Sequence, residues 1–453
     1  MFAATAHPQT LHALPRRLKE VRARTDAFFE LLHPDAWYAR PIAERNRFIF
    51  YLGHLEAFDW NLFQGRLLNA RPFHAEFDQL FAFGIDPVGG GLPTDKPEDW
   101  PVMDEVLAYV RRTRELIDAG LSELGAADWT ADHGEVDYNA GILLNVAIEH
   151  RLMHEETLAY MLHQLPLAQK RRQMVTPLRA DAPFTPAMLR IPAGSATLGL
   201  ARDETGAFGW DNEFDAHVVD VPEFEIDKYK VTNGQYLEFM RQGGYDDAAY
   251  WRADDWQWRT DNDIHQPVFW KKIGTRWMLR TMFDEIPLPE DWPVYVSHAE
   301  AGAYARWAGK ALPTEAQWHR AAYGTPRGEQ RAYPWGAGPP SAGLGNFDFH
   351  HWDPAPVHAL PAGDSAWGVA DMTGNGWEWT ATLFGPFAGF KPFSFYPGYS
   401  ADFFDGKHYV MKGGSPRTAA CMLRRSFRNW FQAHYPYIYS GFRCVNDPSR
   451  RNA

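Results

Sequence analysis

Glu149-His-Arg-Leu-Met-His-Glu-Glu156 lies inside a long run of helical periodicity and carries His150 and His154 four residues apart. On an α-helix that spacing puts two imidazoles on one face, one turn apart. Two such rings share a metal ion when a third ligand arrives from a neighbouring helix. The best third ligand upstream is His54, in Phe50-Tyr-Leu-Gly-His-Leu-Glu-Ala-Phe58. Glu149 and Glu155, which flank the pair, read as solvated carboxylates.

Outward from this stretch, the pattern from Thr10 to Leu165 is helical. Leu11, Leu14, Leu18, Val21, Phe28 and Leu32 recur at helical spacing with Arg and Lys between them. A second helix is expected from about Ala43 to Asn69 and carries His54. Gly84-Ile-Asp-Pro-Val-Gly-Gly-Gly-Leu-Pro93 marks a loop by its Gly and Pro content. A third helix follows Pro101, with Val102, Val106, Tyr109, Val110, Leu116 and Ile117 on its apolar face. The fourth runs from near Asp137 to about Gln164. Four long helices with one extended connection predict a four-helix bundle, where metal sites form in the core between facing helices.

The character changes at Pro166. Lys170-Arg-Arg172, with Pro166, Pro177 and Pro183, reads as an exposed linker. Beyond it Gly, Pro and Trp become dense, and short β-like runs such as His217-Val-Val-Asp-Val221 appear. Two short helices are expected, Thr232 to Gln242 and Ser297 to Ala308. Tyr435, Tyr437 and Tyr439 alternate as one face of a strand would. The chain therefore divides into a helical domain (1–165), a linker (166–185) and an irregular, loop-rich α+β domain (186–450).

Composition bounds this reading. A chain of 453 residues is too long for one ordinary core. Apolar residues at 45% and charged residues at 23% describe a globular protein. A net charge of −12 argues against nucleic-acid binding, which needs a basic face. There is no run of 18 apolar residues, so no membrane span is expected. Met1-Phe-Ala-Ala-Thr-Ala-His-Pro8 lacks the pattern of a signal peptide. The only two cysteines, Cys421 and Cys444, exclude a disulfide framework and fit a reducing cytoplasm.

Several spaced motifs in the C-terminal region carry a resemblance: Ile191-Pro-Ala-Gly194, Trp210-Asp-Asn-Glu213, Val231-Thr-Asn233, Ala311-Leu-Pro-Thr-Glu-Ala-Gln-Trp318, Gly374-Asn-Gly-Trp-Glu-Trp-Thr380, Gly413-Gly-Ser415 and Gly441-Phe-Arg-Cys444. In this order they resemble the formylglycine-generating-enzyme family, whose fold is C-type-lectin-like. The helical region resembles a DinB-like bundle, whose metal pattern is matched by His54, His150, His154 and Glu156. The two domains together resemble the ergothioneine- and ovothiol-type sulfoxide synthases. Phe404-Asp-Gly-Lys-His408 and Arg424-Arg-Ser-Phe-Arg-Asn-Trp430 look closest to that group.

The resemblance implies a non-haem iron(II) enzyme that uses O2 as co-substrate to join a thiol sulfur to the imidazole of a histidine derivative. Three histidines alone would equally allow zinc. It also implies that Glu156 stands behind the ligands and holds an imidazole N–H. Asn429 and Trp430 match the part of the motif that lines a histidine-betaine pocket, where an aromatic face attracts a quaternary ammonium. Tyr396 is the candidate acid for proton delivery to reduced oxygen. Arg71 and Arg428 are candidates for the carboxylates of a peptide thiol. The ergothioneine-type enzymes carry Gln just before the second helix histidine; Met153 stands there here. The partners expected are small molecules.

Formylglycine generation itself is rejected, because Pro416 and Ser426 stand where a second thiol near Cys421 would be. Three alternatives remain open at the level of sequence. They are a selenium-transferring relative, a metal-dependent DinB-type thiol transferase, and a non-catalytic lectin-like binding module.

Overall fold

The computed structural model describes residues 13–82, 92–125, 138–180, 184–202 and 207–446. Leu11, Asp137, Pro183 and most of the expected loop, from Gly84 to Gly91, lie outside the described residues. Contacts divide the chain into two units. One joins His7–Gln173 with the short segment Phe393–Tyr396; the other joins Met174–Pro392 with Pro397–Ala453.

The first unit is the helical bundle. Its helices are α1 (Leu14–Phe29), α2 (Phe48–Phe63), α3 (Ala75–Leu80), α4 (Met103–Ser122) and α5 (Ala140–Gln164). The four long helices match the expected bundle; α3 is too short to leave a periodic trace. Helix α5 is buried on every side, as expected for a helix with apolar residues all round. Its start is fixed by Asn139, whose side chain accepts a hydrogen bond from the Ile142 amide at 2.9 Å. Helix α1 packs on α5, and α2 packs on both α4 and α5.

Because α5 has no solvent face, its charged residues pair inside the protein. Glu149 and Glu155 are buried, not solvated. The Glu155 carboxylate lies 2.7 Å from Arg24 of α1. Arg151 of α5 lies 3.0 Å from Glu56 and 2.8 Å from Asp59, both on α2. Arg114 of α4 joins Glu56 at 2.8 Å and Asp26 of α1 at 2.7 Å. One buried ion cluster therefore touches all four long helices.

The second unit is built from short strands and short capped helices. Strands β1 (Met188–Ile191), β2 (Gly194–Leu198), β3 (His217–Val221) and β4 (Phe224–Asp227) come first. Helices α6 (Asn233–Arg241) and α7 (Ala253–Asp261) follow, then β5 (Trp270–Ile273), β6 (Arg276–Arg280) and β7 (Glu285–Pro287). Next come α8 (His298–Trp307), α9 (Glu315–Tyr323), β8 (Trp377–Leu383), β9 (His408–Lys412), β10 (Asn429–Gln432), β11 (Ser440–Gly441) and β12 (Val445–Asn446). The sheets are β1-β4-β12, β10-β9-β8-β11, β2-β3 and β5-β6-β7. All pairings are antiparallel except β11 on β8. The expected short helices form, each opened by a capping box at Thr232 and Ser297. Tyr435, Tyr437 and Tyr439 do not form a strand face. Pro436 between them has no N–H for a ladder, and the chain turns after Gln432.

The core of this unit packs Ile191, Phe224, Ile226, Trp318, Met372 and Val445 together. Beside it lies a fully buried ionic knot. Glu378 of β8 accepts from Lys230 at 2.6 Å and from Arg443 at 2.6 Å. Burial alone would raise the Glu378 carboxyl, but Arg443 and Lys230 outweigh it and hold the group down to about 2. Gly413 and Gly414 adopt positive φ of 100° and 119°. A Cβ at Gly413 would stand 2.9 Å from the Met372 carbonyl oxygen, so the Gly-Gly-Ser motif is a close-packing requirement.

Replacing Glu378 by Ala should leave two buried cations unpaired and destabilise the β-rich unit by about 3–5 kcal/mol. Urea unfolding followed by tryptophan fluorescence measures this; a loss under about 1 kcal/mol would mean the knot is not needed for stability.

Candidate metal centre

His54 lies in the middle of α2, and His150 and His154 lie one turn apart on α5. All three side chains are buried, and their ligand atoms lie within 4.8 Å of one another. His154 Nε2 stands 3.2 Å from His54 Nε2 and 3.1 Å from His150 Nε2. Burial holds the His54 imidazole neutral, with a pKa down at about 4, and holds the other two well below their usual value. The neighbouring Arg151 adds to the effect at each ring.

One tautomer is fixed by the backbone. His54 Nδ1 lies 2.7 Å from the Phe81 carbonyl oxygen, so Nδ1–H donates and Nε2 carries a lone pair. Gly53 makes this approach feasible, since a Cβ there would stand 2.6 Å from the Phe81 ring. Nδ1 of His150 and of His154 have no hydrogen-bond partner. Glu156 therefore holds none of the three Nδ1 atoms. It is half-buried, two residues past His154 and so roughly 200° round the helix from it. The carbonyl of Phe81 takes the role expected of Glu156.

The proton count tests whether a metal fits. His54 Nε2 has no proton to give. A proton on His154 Nε2 can point at His54 or His150, but it cannot satisfy both contacts well. Three lone pairs aimed at one point by neutral rings form a metal donor set. Nitrogens about 2.1 Å from one ion stand about 3.0 Å apart at a right angle and about 3.4 Å apart at a tetrahedral angle. The observed 3.1 and 3.2 Å fall between these two values.

Aromatic rings wall the site. Phe50 stacks on His54 at 4.9 Å and Phe58 on His150 at 3.4 Å. Tyr51 lies 5.7 Å from the His154 ring. The segment Phe393–Tyr396 belongs to this same unit. Within it Tyr396 stands edge-on to Phe58 at 5.4 Å, and Phe395 stands edge-on to Tyr138 at 5.8 Å. Tyr396 is thus one ring removed from His150. Sequence reasoning missed Phe81 and the stacked phenylalanines; the Gly53-His54 pair was the one local signal of a close approach.

Of the remaining expected residues, Arg428, Asn429 and Trp430 lie in the β-rich unit. Asn429 and Trp430 open β10 opposite Met411 and Val410 of β9. Trp430 is half-buried in an aromatic cluster. It stacks on Phe384 at 4.2 Å and meets Tyr399 edge-on at 5.4 Å. The Asn429 side-chain oxygen accepts from the Trp430 amide at 2.9 Å. Arg428 is not available for a substrate carboxylate. Its guanidinium grips both oxygens of Glu315, at 3.0 and 3.1 Å, and donates to the Gly385 carbonyl. Arg71 is exposed on the bundle unit. Among the described residues no helix is long and apolar enough to cross a membrane.

Replacing His54, His150 or His154 by Ala should each weaken divalent-metal binding at least about tenfold, since loss of even an outer partner of a ligand costs about 10–100-fold. Metal content after Fe(II) or Co(II) loading and desalting reads this out. Unchanged stoichiometry in one variant removes that histidine from the site.

Comparison with known proteins follows the same two-part division. Residues 175–448 match the Sulfatase-modifying factor enzyme 1-like domain, and residues 17–158 match the DinB superfamily. Hercynine oxygenase of Mycolicibacterium smegmatis is 40% identical over 317 residues, covering 68% of this chain and 72% of that protein. Ergothioneine biosynthesis protein 1 of Neurospora crassa is 28% identical over 505 residues, covering 92% of this chain and 56% of that protein. Formylglycine-generating enzyme of Mycobacterium tuberculosis is 30% identical over 306 residues, covering 58% of this chain and 98% of that protein.

Proposed function

The chain belongs to the hercynine oxygenase family, and from that premise we propose that it is an iron(II)- and O2-dependent sulfoxide synthase. It joins the sulfur of cysteine or γ-glutamylcysteine to the imidazole of a hercynine-like histidine derivative. The observation that carries this reading is the meeting of three neutral imidazole nitrogens, 3.1–3.2 Å apart along their chain, in the buried interior of the bundle. Bound there, iron supplies open positions for a thiolate and for O2, and the electrons that begin oxygen reduction.

The chain's own groups then have separable tasks. His54, His150 and His154 hold the ion, with His54 aimed by the Phe81 carbonyl. Phe50 and Phe58 exclude water from two of the imidazole faces. Tyr396 holds the phenol proton that reduced oxygen needs, and its place beside Phe58 supports this role. Asn429 and Trp430 orient the acceptor. The aromatic cluster around Trp430 suits a trimethylammonium, a contact worth up to about 2 kcal/mol when dry. Glu156 is left without a role at the imidazoles. The thiol's carboxylates have no assigned arginine, since Arg428 is spent on Glu315.

The test is anaerobic reconstitution with Fe(II), then admission of O2 with hercynine and each thiol in turn. Expected are O2 uptake and a sulfoxide product. Zinc-dependent conjugation of the thiol to an electrophilic acceptor without O2, with no product from hercynine, would point to a thiol transferase. Absence of turnover with every acceptor and thiol pair would refute the proposal.

Two substitutions separate the roles. Tyr396→Phe should lower kcat for sulfoxide formation by about 100-fold or more while metal content and KM hold. A loss of metal instead would make Tyr396 a packing residue. Trp430→Ala should raise KM for a trimethylated acceptor more than for histidine, by a factor matching about 1–2 kcal/mol. An equal loss for both acceptors would leave Trp430 with no ammonium contact.

A further inference from the structure

The Phe81 carbonyl aims His54, so whatever places Phe81 also places the imidazole. That carbonyl comes at the end of α3, a helix of six residues. A helix this short does not persist by itself, so its position is set by what it packs on. Its rings supply part of the packing. Phe77 meets Tyr109 edge-on at 5.6 Å, and Phe81 stacks on Trp100 at 6.4 Å. Apolar contacts of this kind are not directional and tolerate sliding. The 2.7 Å hydrogen bond to His54 tolerates little, since such a bond weakens steeply once it is bent.

The directional contacts of α3 converge on one buried residue, Asp78, a turn before Phe81. Its Oδ1 accepts from the Tyr109 hydroxyl of α4 at 2.7 Å, and its Oδ2 from Trp60 Nε1 of α2 at 3.3 Å. Its backbone carbonyl accepts from Asn61 Nδ2 of α2 at 3.0 Å. Trp60 and Asn61 lie on the same helix as His54, six and seven residues further on. Helix α3 is therefore tied to α2 at two places, by Asp78 at one and by the Phe81 carbonyl at the other.

The residue type suits this task and little else. Both side-chain donors are neutral. Burial lifts the Asp78 carboxyl above its usual range, and the bonds from Tyr109 and Trp60 work against the rise. Burial, then Asp78 itself, pushes the Tyr109 phenol up, so its hydroxyl stays a donor. A carboxylate offers two acceptor oxygens and no donor, so one side chain holds O–H and N–H groups from two helices at once.

We propose that Asp78 is a positioning residue of the metal centre: held by Tyr109 and Trp60, it sets α3 against α2 so that the Phe81 carbonyl meets His54 Nδ1–H. The inference rests on reading the three histidines as a metal site. Asp78 touches no imidazole and acts through one turn of backbone. Without it α3 keeps its ring contacts and loses its fixed place on α2. The His54 proton is then free to move to Nε2, the nitrogen that must stay bare to bind an ion.

The full chain, metal-free and with 15N-labelled histidine, tests this. The two ring-nitrogen shifts report each tautomer, and His54 is identified by its loss in His54→Ala. Expected for the wild type is the Nδ1–H tautomer with a slowly exchanging proton. Asp78→Ala should speed that exchange at least about tenfold, admit the Nε2–H tautomer and raise the Kd for Co(II) about tenfold, as loss of a ligand's partner does. Asp78→Asn should stay within about threefold of the wild type, because its amide accepts from Trp60 and donates to the Tyr109 oxygen. Tyr109→Phe is the second variant, needed if Asp78→Ala does not fold. It keeps the ring and removes only the 2.7 Å bond, and should move exchange and Kd the same way by about threefold or more. Wild-type exchange and tautomer at His54 in the folded variants, whatever their Tm, would make Asp78 a packing residue and overturn the proposal. A loss in Asp78→Asn as large as in Asp78→Ala also overturns it. The tautomer is read without metal, so a wild type that takes up no Co(II) would instead overturn the metal reading of the histidines.

Discussion

The bundle depends on Arg151. It sits on α5, buried to 1% exposure, and must be satisfied by carboxylates from α2. Desolvating such a pair costs as much as the attraction returns, so the cluster does little for net stability. Its effect is on register. An apolar helix interface tolerates sliding by a turn, whereas a slide here would leave Arg151, Glu56 and Asp59 unpaired in a dry core. Arg151 directly follows His150, and Glu56 is two residues from His54. The contact that sets α2 against α5 therefore also sets the three imidazoles against one another. Arg114 and Arg22 extend the constraint to α4 and α1, and the three arginines hold Glu56 at about 2 against the opposing effect of burial.

The β-rich unit shows why a motif can be specific for a fold and silent about chemistry. Glu378 of Gly374-Asn-Gly-Trp-Glu-Trp-Thr380 and Arg443 of Gly441-Phe-Arg-Cys444 meet each other and Lys230 in the interior. Trp379 is fully buried and donates to the Val296 carbonyl at 2.8 Å. Gly413 is required by the Met372 carbonyl. These residues hold strands and loops together. The rings of the Trp430 cluster come instead from loop positions around residues 384–403, where sequence pattern carries little structural information.

What was legible in the sequence follows from the physics of each element. The long helices were readable because their apolar residues repeat over several turns, and the imidazole pair because its spacing fits one face. The six-residue α3 left too few turns for a period to show, whereas α7 and α9 are nine residues long like α6 and were not read. Glu149 and Glu155 were misread because polarity predicts exposure only for helices that have an exposed side; α5 has none. The alternating tyrosines were misread because Pro436 breaks the ladder that alternation implies. The Phe81 carbonyl was not legible at all. A backbone oxygen has no residue identity, and only the close approach over Gly53 brings it to His54.

The donor set also constrains what enters the site. Three neutral imidazoles leave the double charge of a divalent ion uncompensated. The nearby carboxylates are already committed, Glu56 to Arg151 and Arg114, and Glu155 to Arg24. Arg151 moreover adds positive charge beside the rings. An incoming ligand that brings negative charge is therefore favoured over a neutral one. A thiol meets this requirement by losing its proton on binding, since coordination lowers its pKa. On the proposed reading, the Arg151 charge that adds to burial in keeping His54, His150 and His154 neutral would also favour a thiolate as the next ligand. No separate strong base at the site is needed to generate it.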